Sequence, residues 1–156
     1  MQTSKPAFTL METGIVMVIV ALIAVVVVPR LASAGDDPQA RAQRAADDLK
    51  EIAATFRAYR ATHGYWPPEA PTGQMPPEMR SQFSSANPFA APTPLGGRYD
   101  YDHFKDQPAI CIAIRTAPDS PAPSIADAQM LDAIIDDGVL STGNFRTSVQ
   151  GGYVYA

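Results

Sequence analysis

Apolar positions fall into blocks of different period along this chain, and each block predicts a different element. From Phe8 to Val28 they run almost unbroken, 21 residues with the single charge of Glu12. As a helix rising ~1.5 Å per residue that run reaches about 31 Å, the ~30 Å thickness of a bilayer's hydrocarbon core. Residues 29–37 mix helix formers with breakers, which places an interruption there. Asp37 followed by Pro38 then reads as an N-cap and a first helical position. From there Ala42, Ala45, Leu49, Ile52, Phe56 and Tyr59 recur at alternating spacings of 3 and 4, one apolar stripe on a helix, with Arg41, Arg44, Asp48, Glu51 and Arg57 on the polar side. Gly64, after His63, supplies the left-handed stop. The stripe is expected to cover the domain's own sheet, with its first turns left for neighbouring molecules. Unbroken, the helix from Phe8 to His63 would extend about 84 Å.

Beyond Gly64 the period changes. Residues 65–97 hold eight of the fifteen prolines and little periodicity, so they predict an irregular but stiff connection, with Trp66 plugging the space between helix and loop. Residues 98–104 alternate, and residues 109–114 form a β-prone apolar run. Ser124 with Asp127 resembles a capping box, and Ile125, Ala128, Leu131 and Ile135 continue it as a short helix that stops at Asp136-Asp137-Gly138. Residues 145–149 and 153–155, joined through Gly151-Gly152, predict a terminal hairpin. The expected fold class is α+β: a long N-terminal helix, transmembrane in its first half, packed on a small antiparallel sheet of about four strands.

Charge and candidate chemistry narrow the function. The 156 residues carry 16 acids against 12 bases, a net charge of −4, which disfavours generic binding to nucleic acid or anionic lipid. Cys111 is the one cysteine, so no intrachain disulfide forms, and its apolar neighbours predict a buried strand residue. His63 is expected at a helix end and His103 on a strand surface. No nucleophile elbow, zinc-ligand spacing or phosphate loop is present, so no catalytic residue is assigned and the chain is not expected to be an enzyme. Asp132, Asp136 and Asp137, followed by Ser141, Thr142 and Asn144, gather oxygen ligands of the type calcium prefers, without the alternate-residue spacing of an EF-hand. Acids at a helix C-terminus also oppose the helix dipole, which a cation would offset.

Glu12 is the residue that decides between readings of the apolar run. A charged side chain at mid-membrane costs roughly 2.5–3.5 kcal/mol and calls for a partner. A cleaved signal peptide ending at Ala32-Ser33-Ala34 would release a soluble binding domain from Gly35, and a plain anchor would explain the length; neither gives Glu12 a role. The stretch Ala7-Phe8-Thr9-Leu10-Met11-Glu12, the apolar run behind it and Pro29 resemble the start of a type IV pilin or type II secretion pseudopilin precursor, and Gly64-Tyr65-Trp66-Pro67 resembles the G-x-Y-P element that follows the long helix in many pseudopilins. That resemblance implies cleavage between Ala7 and Phe8 by a prepilin peptidase, methylation of the new amino terminus, and assembly through Glu12 and Pro29; Ala7 stands where the family usually has Gly. It implies a leader over residues 1–7, a transmembrane and assembly helix over 8–31, an amphipathic continuation over 32–64 and a periplasmic head over 65–156. The implied partners are the peptidase, other pilin or pseudopilin subunits and an inner-membrane assembly platform, in a single-pass inner-membrane protein that supports protein secretion. Some major pseudopilins bind calcium in a C-terminal loop, which makes calcium the implied cofactor, at Asp136, Asp137 and Ser141.

Overall fold

A 26-residue helix, α1, opens at Pro38, runs to His63 and organises everything after it. The computed structural model describes residues 37–83, 87–103 and 111–156; the run from Phe8 to Leu31, and with it Ala7, Phe8, Glu12 and Pro29, lies outside them. Among the described residues no helix is long and apolar enough to cross a membrane. All six stripe residues of α1 are buried, joined by Ala46 and Ala53. Its first turns are therefore not left for neighbours: Ala42, Ala45 and Ala46 are fully covered, and a second helix, α2 (Ile125–Ile135), packs on α1. The alanines let the two backbones approach, which the apolar pattern alone did not specify. Ser124 caps α2 as predicted, its Oγ accepting from Asp127 N at 3.2 Å and donating to the Asp127 carboxylate at 2.7 Å.

Four antiparallel strands complete an α+β domain: β1 (Arg98–Asp102), β2 (Cys111–Arg115), β3 (Phe145–Thr147) and β4 (Tyr153–Tyr155), in the order β1-β2-β4-β3. The C-terminal strand thus sits inside the sheet, between β2 and β3. Period-2 alternation and the register put Tyr99, Tyr101, Ile112, Ile114, Tyr153 and Phe145 in the core with α1. Phe56 centres that core, with ring centroids 4.4 Å from Tyr101, 6.1 Å from Phe89 and 6.4 Å from Phe83. Both sheet edges are partly covered, Gly73 N donating to Tyr99 O on β1 and Thr147 N to Leu140 O on β3.

Several boundaries differ from the sequence expectation. β1 ends at Asp102, so His103 is not a strand surface residue but lies just past the strand, half-buried, with its ring 6.5 Å from Trp66. The first strand of the terminal hairpin stops at Thr147 because Ser148–Gly152 form the turn, Ser148 N donating to Gly152 O and Gly151 N to Ser148 O. β2 extends to Arg115, and Gly97, before β1, has φ +71° where a Cβ would meet Arg115 O at 2.6 Å. Within residues 65–97 a short 3-10 turn forms at Pro77–Met79. Trp66 is half-buried against the core with the Arg60 guanidinium 4.7 Å over its ring, as a plug between helix and loop requires.

Candidate metal centre at the end of helix α2

Helical spacing places Asp132 and Asp136 one turn apart, the first on the inward face of α2 and the second at its C-cap. Asp132 is completely buried, and neither carboxylate oxygen has a hydrogen-bond donor among the described residues. Asp136 leaves helical geometry, with φ −148° and ψ −93°. That turn aims its carboxylate at the returning chain, where Oδ1 accepts from Asp137 N at 2.8 Å and Oδ2 from the backbone N–H of Asn144 and of Phe145. Asp137 closes the loop, accepting from Val139 N on Oδ1 and from the Thr142 hydroxyl on Oδ2, both at 2.9 Å. Gly143 has φ +77°, and a Cβ there would collide with the Asp136 carboxylate, so the loop passes where only glycine fits.

One oxygen from each of Asp132, Asp136 and Asp137 can be chosen so that all lie within 4.8 Å of one another. Burial pushes the Asp132 carboxyl up to about 7, helped by the neighbouring charges of Asp136 and Asp137. Asp136 is held below the usual carboxylate range, first by the proton Asp132 offers it and then by the backbone N–H groups. The geometry therefore offers two ways to neutralise the cluster. Either Asp132 is protonated and donates to Asp136, or a cation takes the place of that proton. Oxygen ligands at 2.3–2.6 Å from a calcium ion lie at most roughly 4.6–5.2 Å from one another, and three oxygens within 4.8 Å fall inside that span. Among the described residues Ser141 makes no hydrogen bond to the cluster; the hydroxyl that engages it is Thr142. The three acids grouped from the sequence, Asp132, Asp136 and Asp137, do lie together, and their spacing alone did not show that Asp132 is the buried member.

Cys111 is buried and its register partner is Asp102. Burial pushes the Cys111 thiol up, the opposite of what a nucleophile needs. His63 ends α1 with its ring stacked on Tyr59 at 4.0 Å.

A second polar constellation, invisible in the sequence pattern, lies on the sheet face away from α1. Arg115 donates from Nε to Asp100 and from Nη2 to Asp102, while Nη1 reaches Gly151 O at 3.2 Å and Nη2 reaches Gln150 Oε1 at 2.9 Å. Asp100 is only 5% exposed, and burial raises its carboxyl against the lowering effect of Arg115. This network pins the terminal hairpin turn to β1 and β2. It is structural: its donors and acceptors are consumed by one another. No protein family, curated protein or solved structure matches the chain.

Proposed function

We propose that the chain is a pilin-like structural subunit, anchored in the inner membrane by residues 8–31, that polymerises through its N-terminal helix and displays the α+β head on the periplasmic side. The observation that carries this reading is the placement of Glu12 one helical turn after Phe8 within a 21-residue apolar run. Cleavage between Ala7 and Phe8 by a prepilin peptidase creates a charged amine on Phe8, and Glu12 of one subunit pairs with that amine on its neighbour. A buried ion pair adds little net stability over an apolar contact, whereas an unpaired buried charge costs several kcal/mol. Glu12 is therefore a register device. Pro29 ends the apolar run where the chain leaves the membrane.

The work of such a subunit is mechanical rather than catalytic. In a type II secretion pseudopilus it would help drive folded proteins out of the periplasm; in a type IV pilus it would serve surface functions. The Gly64-Tyr65-Trp66-Pro67 element and a single cysteine, which leaves no intrachain disulfide, favour the pseudopilin. Its partners are then the peptidase, other subunits of the same kind and the assembly platform. The fold of the described residues, a helix laid along a four-stranded antiparallel sheet, supports this reading. A released binding domain beginning at Gly35 would use the same compact head, Pro38–Ala156, but would leave Glu12 without a role.

Calcium is the cation proposed for Asp132, Asp136 and Asp137. Bound there, it would supply the positive charge that lets Asp132 ionise while buried, and so fix the loop that leads into β3. The test of the filament reading is Glu12→Gln: membrane insertion and cleavage should persist while assembly is lost. Normal filament or secretion output from that variant would overturn it.

A further inference from the structure

Strand β3 is an edge of the sheet among the described residues, with β4 on its inner side. Arg146 pairs with Val154 and Ser148 N donates to Gly152 O, so these two residues direct their backbone groups at the β4 side. Alternation turns those of Phe145 and Thr147 outward. Both outward N–H groups are occupied. Phe145 N donates to Asp136 Oδ2 at 3.3 Å, with Asn144 N on the same oxygen, and Thr147 N donates to Leu140 O at 2.8 Å. Both acceptors belong to the 136–144 loop, which leaves α2 and doubles back along the strand. The outward carbonyls of Phe145 and Thr147 meet no donor among the described residues. Little anchors the loop itself: Leu140 is only partly buried against the core, Val139 is 49% exposed, and glycines at positive φ, Gly138 and Gly143, stand near its two ends. Segments with so few buried contacts open ahead of the sheet they lie on.

We infer that the 136–144 loop is a strap that opens separately from the sheet and, while closed, keeps the β3 edge from pairing with the β3 edge of a second copy of this chain. With Asp136 and Leu140 withdrawn, the edge presents an N–H and a C=O at Phe145 and again at Thr147. That set is its own complement under a two-fold axis through Arg146. Phe145 of each copy then lies opposite Thr147 of the other, each such pair exchanging both of its N–H···O=C bonds. Arg146 faces Arg146 of the other copy, and like charges directly opposite oppose the pairing, a second guard on the same edge. A two-fold contact closes on itself and does not propagate. In a subunit that polymerises, as proposed above, it would be a dead end; the contact itself does not depend on that reading.

The test uses the full-length chain in detergent micelles with a chelator, so that no cation bears on Asp136. Cys111→Ala is carried throughout, which leaves position 146 as the one site for a disulfide. Residues opposite each other in an antiparallel pair have Cβ atoms about 4.5–5.5 Å apart, within a small shift of disulfide geometry. Arg146→Cys alone should give little disulfide-linked dimer under mild oxidation. Combined with Asp136→Ala it should give about tenfold more, because the bonds that hold the strap are lost. Thermal midpoints check that both variants fold, and hydrogen exchange on the unaltered chain decides the matter if Asp136→Ala does not. The Phe145 and Thr147 amides should exchange together and about tenfold faster than the Arg146 amide, which is bonded to β4. Equal dimer with and without Asp136→Ala, aggregate that lacks the bond between the two positions 146, or edge amides as slow as that of Arg146 would each overturn the inference.

Discussion

Replacing Asp132 with Asn should stabilise the calcium-free head above neutral pH and abolish its response to calcium. In the folded state the Asp132 carboxyl is held near 7, against an ordinary value of 3.8. Between those two values the native state binds a proton that the unfolded chain has lost, so stability falls as pH rises from about 4 to about 7. At 1.36 kcal/mol per pH unit, the full cost above pH 7 is at most about 4 kcal/mol. The lowered Asp136 carboxyl returns part of it, through stability that is present above 3.8 and lost only as pH falls below it. Asn cannot ionise, and its amide can donate to Asp136 as the protonated acid does. Urea unfolding of both proteins in a chelator, from pH 4.5 to 8, gives the two curves to compare. Burial also raises Asp48 and Asp100, but those groups are common to both proteins and cancel in the difference. The difference should grow with pH in favour of the Asn variant, by about 1–3 kcal/mol at pH 8. Added calcium should then raise the unfolding free energy of the original chain alone, by about 2.7 kcal/mol at a hundredfold excess over its Kd. A difference curve flat across this range would mean that burial does not hold the Asp132 proton, and calcium stabilising both proteins equally would rule out the site.

Three further substitutions test the packing around the centre. Arg115→Met leaves Asp100 and Asp102 unpaired and should cost about 3–5 kcal/mol, with hydrogen exchange in β4 and the turn before it accelerating first; a loss below about 1 kcal/mol would show the network to be incidental. Gly143→Ala forces a Cβ against the Asp136 carboxylate at positive φ and should cost about 1–3 kcal/mol while weakening the calcium-induced midpoint shift. Phe56→Ala empties the ring cluster of Tyr101, Phe83 and Phe89 and should cost about 3–5 kcal/mol by urea titration.

What could be read from the residues was what local periodicity controls. The stripe from Ala42 to Tyr59 named the buried face of α1, and the Ser124 to Asp127 box located the start of α2. Position in the sheet was not legible, because pairing depends on contacts far apart in sequence; nothing near Tyr153 says that its strand inserts between β2 and β3. Asp100 illustrates the same limit. Alternation with Tyr99 and Tyr101 reads it as a surface acid, yet Arg115 folds over it from the neighbouring strand and buries it. Asp132 was legible as a member of the acidic cluster, but its complete burial follows only from the packing of α2. Ser141 and Thr142 are adjacent hydroxyls, and only the backbone path decides that Thr142 meets Asp137.

If Glu12 serves to meet an amine made by cutting before Phe8, the mass of the mature amino terminus purified from membranes will report the cut. The mature chain should begin at Phe8 and carry one methyl group on its amine. A chain beginning at Gly35, or one retaining Met1 to Ala7 in assembled material, would contradict it.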